Sequence, residues 1–312
     1  MRIDKEQAFR FLRDHDRFLL VGHIHPDGDD VGSLCALHNV LRNMGKEAVM
    51  VIGDAVPERL AFLETAKEIR REIPEGTYDA VVFTDLANIE RGGGFAFPPV
   101  PSLCIDHHVS NTDYADFLYL RADYAATAEM LADLFFTYGM PMDADARNAL
   151  YLGIGTDSGF FRFSNTSAHT LLMASRLVEA GADPAFISNR LDVTTKKGME
   201  VYGRVLSTLH YAAGGRIGIA AMDAESMALD GENSDFYVSI PRRVEGVEIG
   251  VLLKADGENR TRLSIRSREY ADVSSLAARF GGGGHVRAAG CTIDLPLKEA
   301  EEAFLKEAAA CL

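Results

Sequence analysis

Eight aspartate and histidine side chains, grouped in four short segments, are of the types that could do chemistry together. His23, Asp27 and Asp29 lie in HIHPDGD, and Asp85 closes DAVVFTD. Asp106, His107 and His108 close PSLCIDHH, and Asp157 lies in GIGTDSG. Carboxylate and imidazole donors without thiolates suit manganese, magnesium or cobalt better than structural zinc. One ion needs about three protein ligands, so this set is large enough for two. A pair of ions about 3.5–4 Å apart would activate a bridging water and clamp both oxygens of a phosphoryl displacement. Each residue also has a plainer reading. Asp29 or Asp30 could cap the following helix. Asp85 and Asp157 could be turn residues, and one histidine of the pair could be buried against a carbonyl. The plain account needs four separate coincidences at one end of one sheet, and the joint pattern favours a metal site.

The elements that must position these residues are legible as alternating patterns. The runs at 17–23, 47–53, 79–85 and 101–108 are rich in Val, Leu and Ile and read as buried strands. Between the first two, Val31, Leu34, Cys35, Leu41 and Met44 recur near helical spacing, with Gly45 as the C-cap. Further helices are predicted near 127–138 and 143–154. Strands alternating with helices give an α/β fold with a mainly parallel sheet covered on both faces. In such sheets ligands bind outside the carboxyl ends of the strands, which is where the four segments deliver their side chains.

From about 166 to 211 the pattern is helical. Strands are then predicted at 216–222, 247–254 and 261–267, with helices near 273–279 and 297–311. The expected organisation is a catalytic metal-binding domain over 1–185, a helical connector over 186–214 and a smaller α/β substrate-binding domain over 215–312. In that last part GGGGHVRAAG (281–290) is read as a loop. Gly282, Gly283 and Gly284 would let the backbone approach an anion closely, and His285 and Arg287 would add donors. Arg262, Ser264 and Arg266 alternate along one strand and share a face. Arg266 is the preferred phosphate contact, because a guanidinium grips phosphate through two donors.

Composition narrows the partners. The chain of 312 residues carries a formal net charge of −14. A grip on long duplex nucleic acid would need a basic face to replace counterions. A local reversal does occur, with nine Lys or Arg against six Asp or Glu between Arg242 and Arg287. Local attraction of a small anion is therefore expected. Four scattered cysteines without a CxxC pair fit a reducing cytosol. The mixed charges of the first 18 residues are unlike a secretory signal, and no membrane span is expected. His15, His38, His169 and His210 fall in helical patterns and read as packing or surface residues, His25 as support for its loop.

HIHPDGD, TDLAN (84–88), DHH (106–108) and TDSG (156–159), in this order, resemble the four motifs of the DHH phosphoesterases. GGGGHVRAAG resembles the signature of the DHH-associated C-terminal domain. The resemblance spans nearly the whole chain, with Leu86 a small departure where many relatives carry a smaller residue. It implies two divalent ions, with manganese expected and magnesium or cobalt as alternatives. His23 and Asp27 would hold one, and Asp29, His107 and Asp157 the other, with Asp85 bridging both. His108 would face the substrate phosphate, and Asp106 would orient an imidazole from behind. The implied activity is hydrolysis of short oligoribonucleotides, of 3′-phosphoadenosine 5′-phosphate, or of both, by attack of a metal-bridging hydroxide. A phosphodiesterase for cyclic dinucleotides or their linear products is the alternative. A manganese pyrophosphatase and a catalytically silent nucleotide sensor fit less well. Expected partners are a small nucleotide or a very short single strand, with no long duplex and no membrane. A homodimer is compatible with the chain.

Overall fold

The apolar runs of the first half pair into one parallel sheet. Strands β1 (Arg17–Val21), β2 (Glu47–Val51), β3 (Ala80–Thr84), β4 (Ser102–Asp106) and β5 (Phe117–Leu120) lie in the order β2-β1-β3-β4-β5. Every neighbouring pair is parallel. The fold is described here from a computed structural model covering residues 1–230 and 234–312. The chain divides into two units, Met1–Val193 and Thr194–Leu312.

In the first unit the sheet is joined by α1 (Lys5–Asp14), α2 (Gly28–Asn43), α3 (Thr127–Tyr138), α4 (Ala144–Asp157), α5 (Ala168–Glu179) and α6 (Pro184–Leu191). Because parallel strands are buried on both faces, alternate residues of each strand feed two cores. Leu20, Val82 and Ile105 pack with Leu34, Leu37, Phe135 and Leu150 of the helices. Leu19, Val81 and Phe83 lie on the opposite face, where Tyr78, Phe95, Phe97 and Tyr114 of the connections cover them. β5 has no counterpart in the pattern reading, since no α-helix separates it from β4 to mark a crossover. Helices α2 and α4 cross very closely. A Cβ on Gly32 would stand 2.4 Å from the Ala149 carbonyl oxygen, and one on Gly153 would lie 2.5 Å from Ala128 Cβ and 2.8 Å from Asp29 Oδ1. That approach brings the start of α2 against the start of α3, where Asp29 is used.

The second unit contains α7 (Lys196–Ser207), β6 (His210–Ala212), β7 (Ile217–Met222), α8 (Ala224–Asp230), α9 (Ser234–Tyr237), β8 (Ile249–Ala255), β9 (Thr261–Ser267), α10 (Val273–Ala278), β10 (Gly283–His285), β11 (Ala288–Ile293) and α11 (Leu297–Ala308). Among the described residues its six strands run β10-β11-β9-β8-β7-β6, and only β7 and β8 are parallel. Ile219, Val251, Ile265 and Phe304 form one core. Val201, Val205, Met222, Tyr237 and Leu252 form another on the opposite side.

The segment read as a glycine loop is instead an antiparallel hairpin, β10–β11. Glycine-rich composition hid it, because no alternation of side chains marks the first strand. All four cysteines are free thiols. Among the described residues no helix is long and apolar enough to cross a membrane.

Candidate metal centre

The order of the first sheet creates a switch point between β1 and β3, since the chain runs outward to β2 on one side and to β4 and β5 on the other. Open parallel sheets bind ligands at such a point. His23 follows β1, Asp85 follows β3, and His107 and His108 follow β4, so all four leave the same rim. Asp27 and Asp29 arrive at the start of α2 and Asp157 at the end of α4. The structure thus brings together all the residues expected to hold metal.

Asp85 is the centre of the arrangement. Its Oδ2 lies 3.5 Å from His23 Nε2, and its Oδ1 lies 3.5 Å from His107 Nε2. Around the first pair stands Asp27, with Oδ2 3.9 Å from His23 Nε2. Around the second stand Asp157 Oδ2 at 3.4 Å and Asp29 Oδ2 at 3.9 Å from His107 Nε2. These separations are too long for strong hydrogen bonds. They are close to the spacing of two donors that share a cation at about 2.1 Å each. Asp85 also has φ 56°, a left-handed conformation that few side chains other than Asn and Asp adopt and that concentrates at functional sites.

Most of the donors are aimed by a partner behind them. His23 Nδ1 lies 2.8 Å from the Ile24 carbonyl oxygen and His107 Nδ1 lies 3.3 Å from that of Tyr124. An imidazole whose Nδ1 proton is given to a carbonyl presents Nε2 as an acceptor, the usual posture of a metal-ligating histidine. Asp106 holds His108 rather than His107, with Oδ1 at 2.7 Å from Nδ1, and Asn111 Nδ2 donates to its other oxygen at 2.6 Å. The capping role considered for Asp29 or Asp30 belongs to Asp27, whose Oδ1 accepts from both of their backbone N–H groups at 3.0 and 3.1 Å. Asp29 instead accepts from Thr127 N at 2.6 Å and Ala128 N at 2.9 Å, at the start of α3. His25 is exposed at φ 57°, and its N–H donates to Asp54 Oδ2 at 2.8 Å.

With only protons to balance it, the carboxylate cluster forces unusual protonation. Burial first, then repulsion from Asp85 and Asp27, holds the Asp29 carboxyl well above the ordinary range. Burial likewise pushes Asp30 up to about 7. Burial opposes charge on His23, yet Asp30, Asp85 and Asp27 together raise its pKa to about 10. His107 moves down, chiefly through burial. For His108 burial is outweighed by the hydrogen bond to Asp106 and the charge of Asp85, so its pKa rises. A site that must neutralise its own acids in this way is fitted to divalent cations.

The N-terminal domain of the DHH family matches residues 17–154 and the DHHA1 domain matches 225–312. A "bifunctional oligoribonuclease and PAP phosphatase NrnA" of Thermus thermophilus is 34% identical over 290 residues, covering 91% of this chain and 86% of that protein. The chain belongs to the DHH phosphoesterase family. A Bacillus subtilis protein of the same name is 27% identical, with 93% of each chain covered. The crystal structure of an exopolyphosphatase-related protein from Bacteroides fragilis shares the fold, with a TM-score of 0.88 at 22% identity over 98% of this chain and 96% of that one.

Several residues around the DHH centre escaped the sequence reading. Thr127 Oγ1 donates to Asp85 Oδ1 at 3.0 Å while its N–H binds Asp29, so one residue steadies two carboxylates. Behind it the fully buried Glu129 accepts from Ala125 N at 2.8 Å and from Thr170 Oγ1 at 2.9 Å, and its Oε1 lies 2.6 Å from His169 Nδ1. Asn165 Nδ2 donates to the carbonyls of Asp157 at 3.0 Å and Ala125 at 3.3 Å. The one available signal was ATAE at 126–129, polar residues where the opening of a buried helix would otherwise be apolar.

In the DHHA1 half, β9 alternates buried Leu263 and Ile265 with half-buried Arg262, Ser264 and Arg266. Arg266 pairs with Ala288 of β11, which pairs with His285 of β10. Directly opposed residues of antiparallel strands share a face, so Arg266 and His285 flank a single alanine. Ser264, Gly290 and Gly283 form the next row on that face. Gly282 and Gly284 serve the hairpin's own close approach, since a Cβ there would lie 2.1 Å from Gly290 O and 2.5 Å from Ala288 O, whereas one on Gly283 would meet nothing within 4 Å.

Proposed function

We propose that this DHH-family chain hydrolyses phosphate esters of small nucleotides, namely oligoribonucleotides a few residues long and 3′-phosphoadenosine 5′-phosphate. The observation that carries the reading is Asp85, whose two oxygens each face a different histidine Nε2 at 3.5 Å. His23 and Asp27 would hold one divalent ion, Asp29, His107 and Asp157 a second, and Asp85 would serve both. Mixed oxygen and imidazole donors favour manganese. Bound there, such ions would polarise the phosphoryl group and make water nucleophilic near neutral pH.

The remaining work falls to the chain's own groups. Asp106 fixes Nδ1 of His108, and Nε2 would give a proton to the departing oxygen. The hydrogen bond to Asp106 favours the protonated form of His108, which burial opposes. Arg266 and His285 would take a phosphate of the nucleotide across Ala288, with Gly283 leaving the strand beside them bare. The net charge of −14 fits a small anion better than a long duplex. Free cysteines fit a reducing cytoplasm.

The test is a turnover panel with manganese: 3′-phosphoadenosine 5′-phosphate, RNA of two to five nucleotides, linear and cyclic dinucleotides, and pyrophosphate. Turnover of the first two, abolished by chelation and restored by manganese, is the expected result. Preference for a cyclic dinucleotide would move the assignment to that class. Inertness toward the whole panel would end the reading.

A further inference from the structure

Arg91 carries a charge that no carboxylate of the described residues pairs. Its backbone is pinned at the rim of the first sheet. The carbonyl accepts from Ile24 N at 2.7 Å, the N–H donates to Asn88 Oδ1 at 3.1 Å, and a Cβ on Gly53 would lie only 2.9 Å from Gly93 Cα. The half-buried side chain reaches His23, with Nη2 3.0 Å from Nδ1. That nitrogen has one in-plane position for a hydrogen bond, and the Ile24 carbonyl competes for it at 2.8 Å. When Nδ1 gives its proton to that carbonyl and Nε2 is left as the acceptor facing the carboxylates, Nδ1 cannot accept from Arg91.

The guanidinium then keeps its full set of donors. Among the described residues no carboxylate lies within salt-bridge distance of it, although Asp27, Asp30 and Asp85 all stand near the same histidine. A half-buried guanidinium with no carboxylate partner has donors open to an anionic ligand. The planar fork of arginine matches the oxygens of a phosphate. Charge spread over the equatorial oxygens during phosphoryl transfer is what a fixed cation stabilises most.

We infer that Arg91 is a substrate-binding residue of this centre, its guanidinium taking a non-bridging oxygen of the phosphate group being cleaved. This rests on the phosphoesterase reading above. The competing role is a brace for His23, which would act through metal affinity instead of through phosphate.

Arg91→Gln and Arg91→Lys in the full chain separate the two. Calorimetry would measure manganese binding and the binding of inorganic phosphate to the manganese-loaded protein. Kinetics would follow a diribonucleotide and 3′-phosphoadenosine 5′-phosphate. Manganese affinity should stay near that of the unsubstituted protein, and phosphate affinity should fall by about tenfold or more in both variants. The value of kcat/KM should fall by about 10²-fold or more, with lysine restoring little of it. Unchanged phosphate binding in Arg91→Gln overturns the inference. So does a loss of manganese affinity as large as the loss of turnover. If the unsubstituted protein cleaves no phosphate ester, the functional reading fails, and the phosphate-binding comparison still decides the role of Arg91.

Discussion

The two units build their candidate sites in opposite ways. In the first, His23, Asp29, Asp85 and His107 are buried and Asp27 and Asp157 half-buried, most of them are held by a backbone or side-chain partner, and they come from segments as far apart as His23 and Asp157. In the second, Arg266, Ser264, Gly283 and His285 are half-buried or exposed on β9 and β10, the two strands that flank β11 at one sheet edge. The difference follows from the tasks proposed for them. Donors for a small cation must be fixed to fractions of an ångström, which burial and hydrogen bonds behind most of the donors provide. Recognition of a nucleotide phosphate needs reach and open backbone, and an edge hairpin poor in side chains offers both.

Three substitutions would break or sharpen that contrast. The largest effect is expected for Asp85→Asn, which keeps the shape and removes the charge shared between the two histidine groups. Turnover should drop by about 10³-fold or more, with the circular dichroism spectrum unchanged. Activity above a tenth of the unsubstituted level would show that the first unit does not work through a shared carboxylate.

Next comes Thr127→Val, which deletes the hydroxyl that donates to Asp85 at 3.0 Å and keeps the volume. A fall of about 10–100-fold in manganese affinity is expected, with Thr127→Ser restoring most of it. Failure of serine to rescue would place the effect in packing rather than in the hydrogen bond.

The smallest effect should come from the second unit. Arg266→Ala should raise the KM for 3′-phosphoadenosine 5′-phosphate by roughly tenfold, the size of one lost charged hydrogen bond. Hydrolysis of bis-p-nitrophenyl phosphate should stay within about twofold, as is usual when a contact made only by the missing part of a substrate is removed. Equal losses on both esters would mean that Arg266 acts at the chemistry, and the division of labour between the units would fail.

Much of this was open to one-dimensional reading. Contiguous Val, Leu and Ile runs mark strands buried on both faces, which is why β1 through β4 were found and β5, with no helix before it, was not. Side-chain type gave the candidate donors, and motif order gave the family. The alternation of Arg262, Ser264 and Arg266 predicted their common face, which the burial of Leu263 and Ile265 bears out. The hairpin over 283–293 was missed because glycine carries no periodic signal.

The amino-acid order alone therefore fixed which chemical groups exist and on which kind of element each one rides, since composition and periodicity are local properties of the chain. Orientation was not local. Asp85 presents one oxygen to each histidine with help from a hydroxyl 42 positions away, and Asp29 is held by amides 98 and 99 positions away. The roles of Asp27, Asp29 and Asp30, which look interchangeable in DGDD, diverge for the same reason: each carboxylate turns toward whichever donors folding places around it.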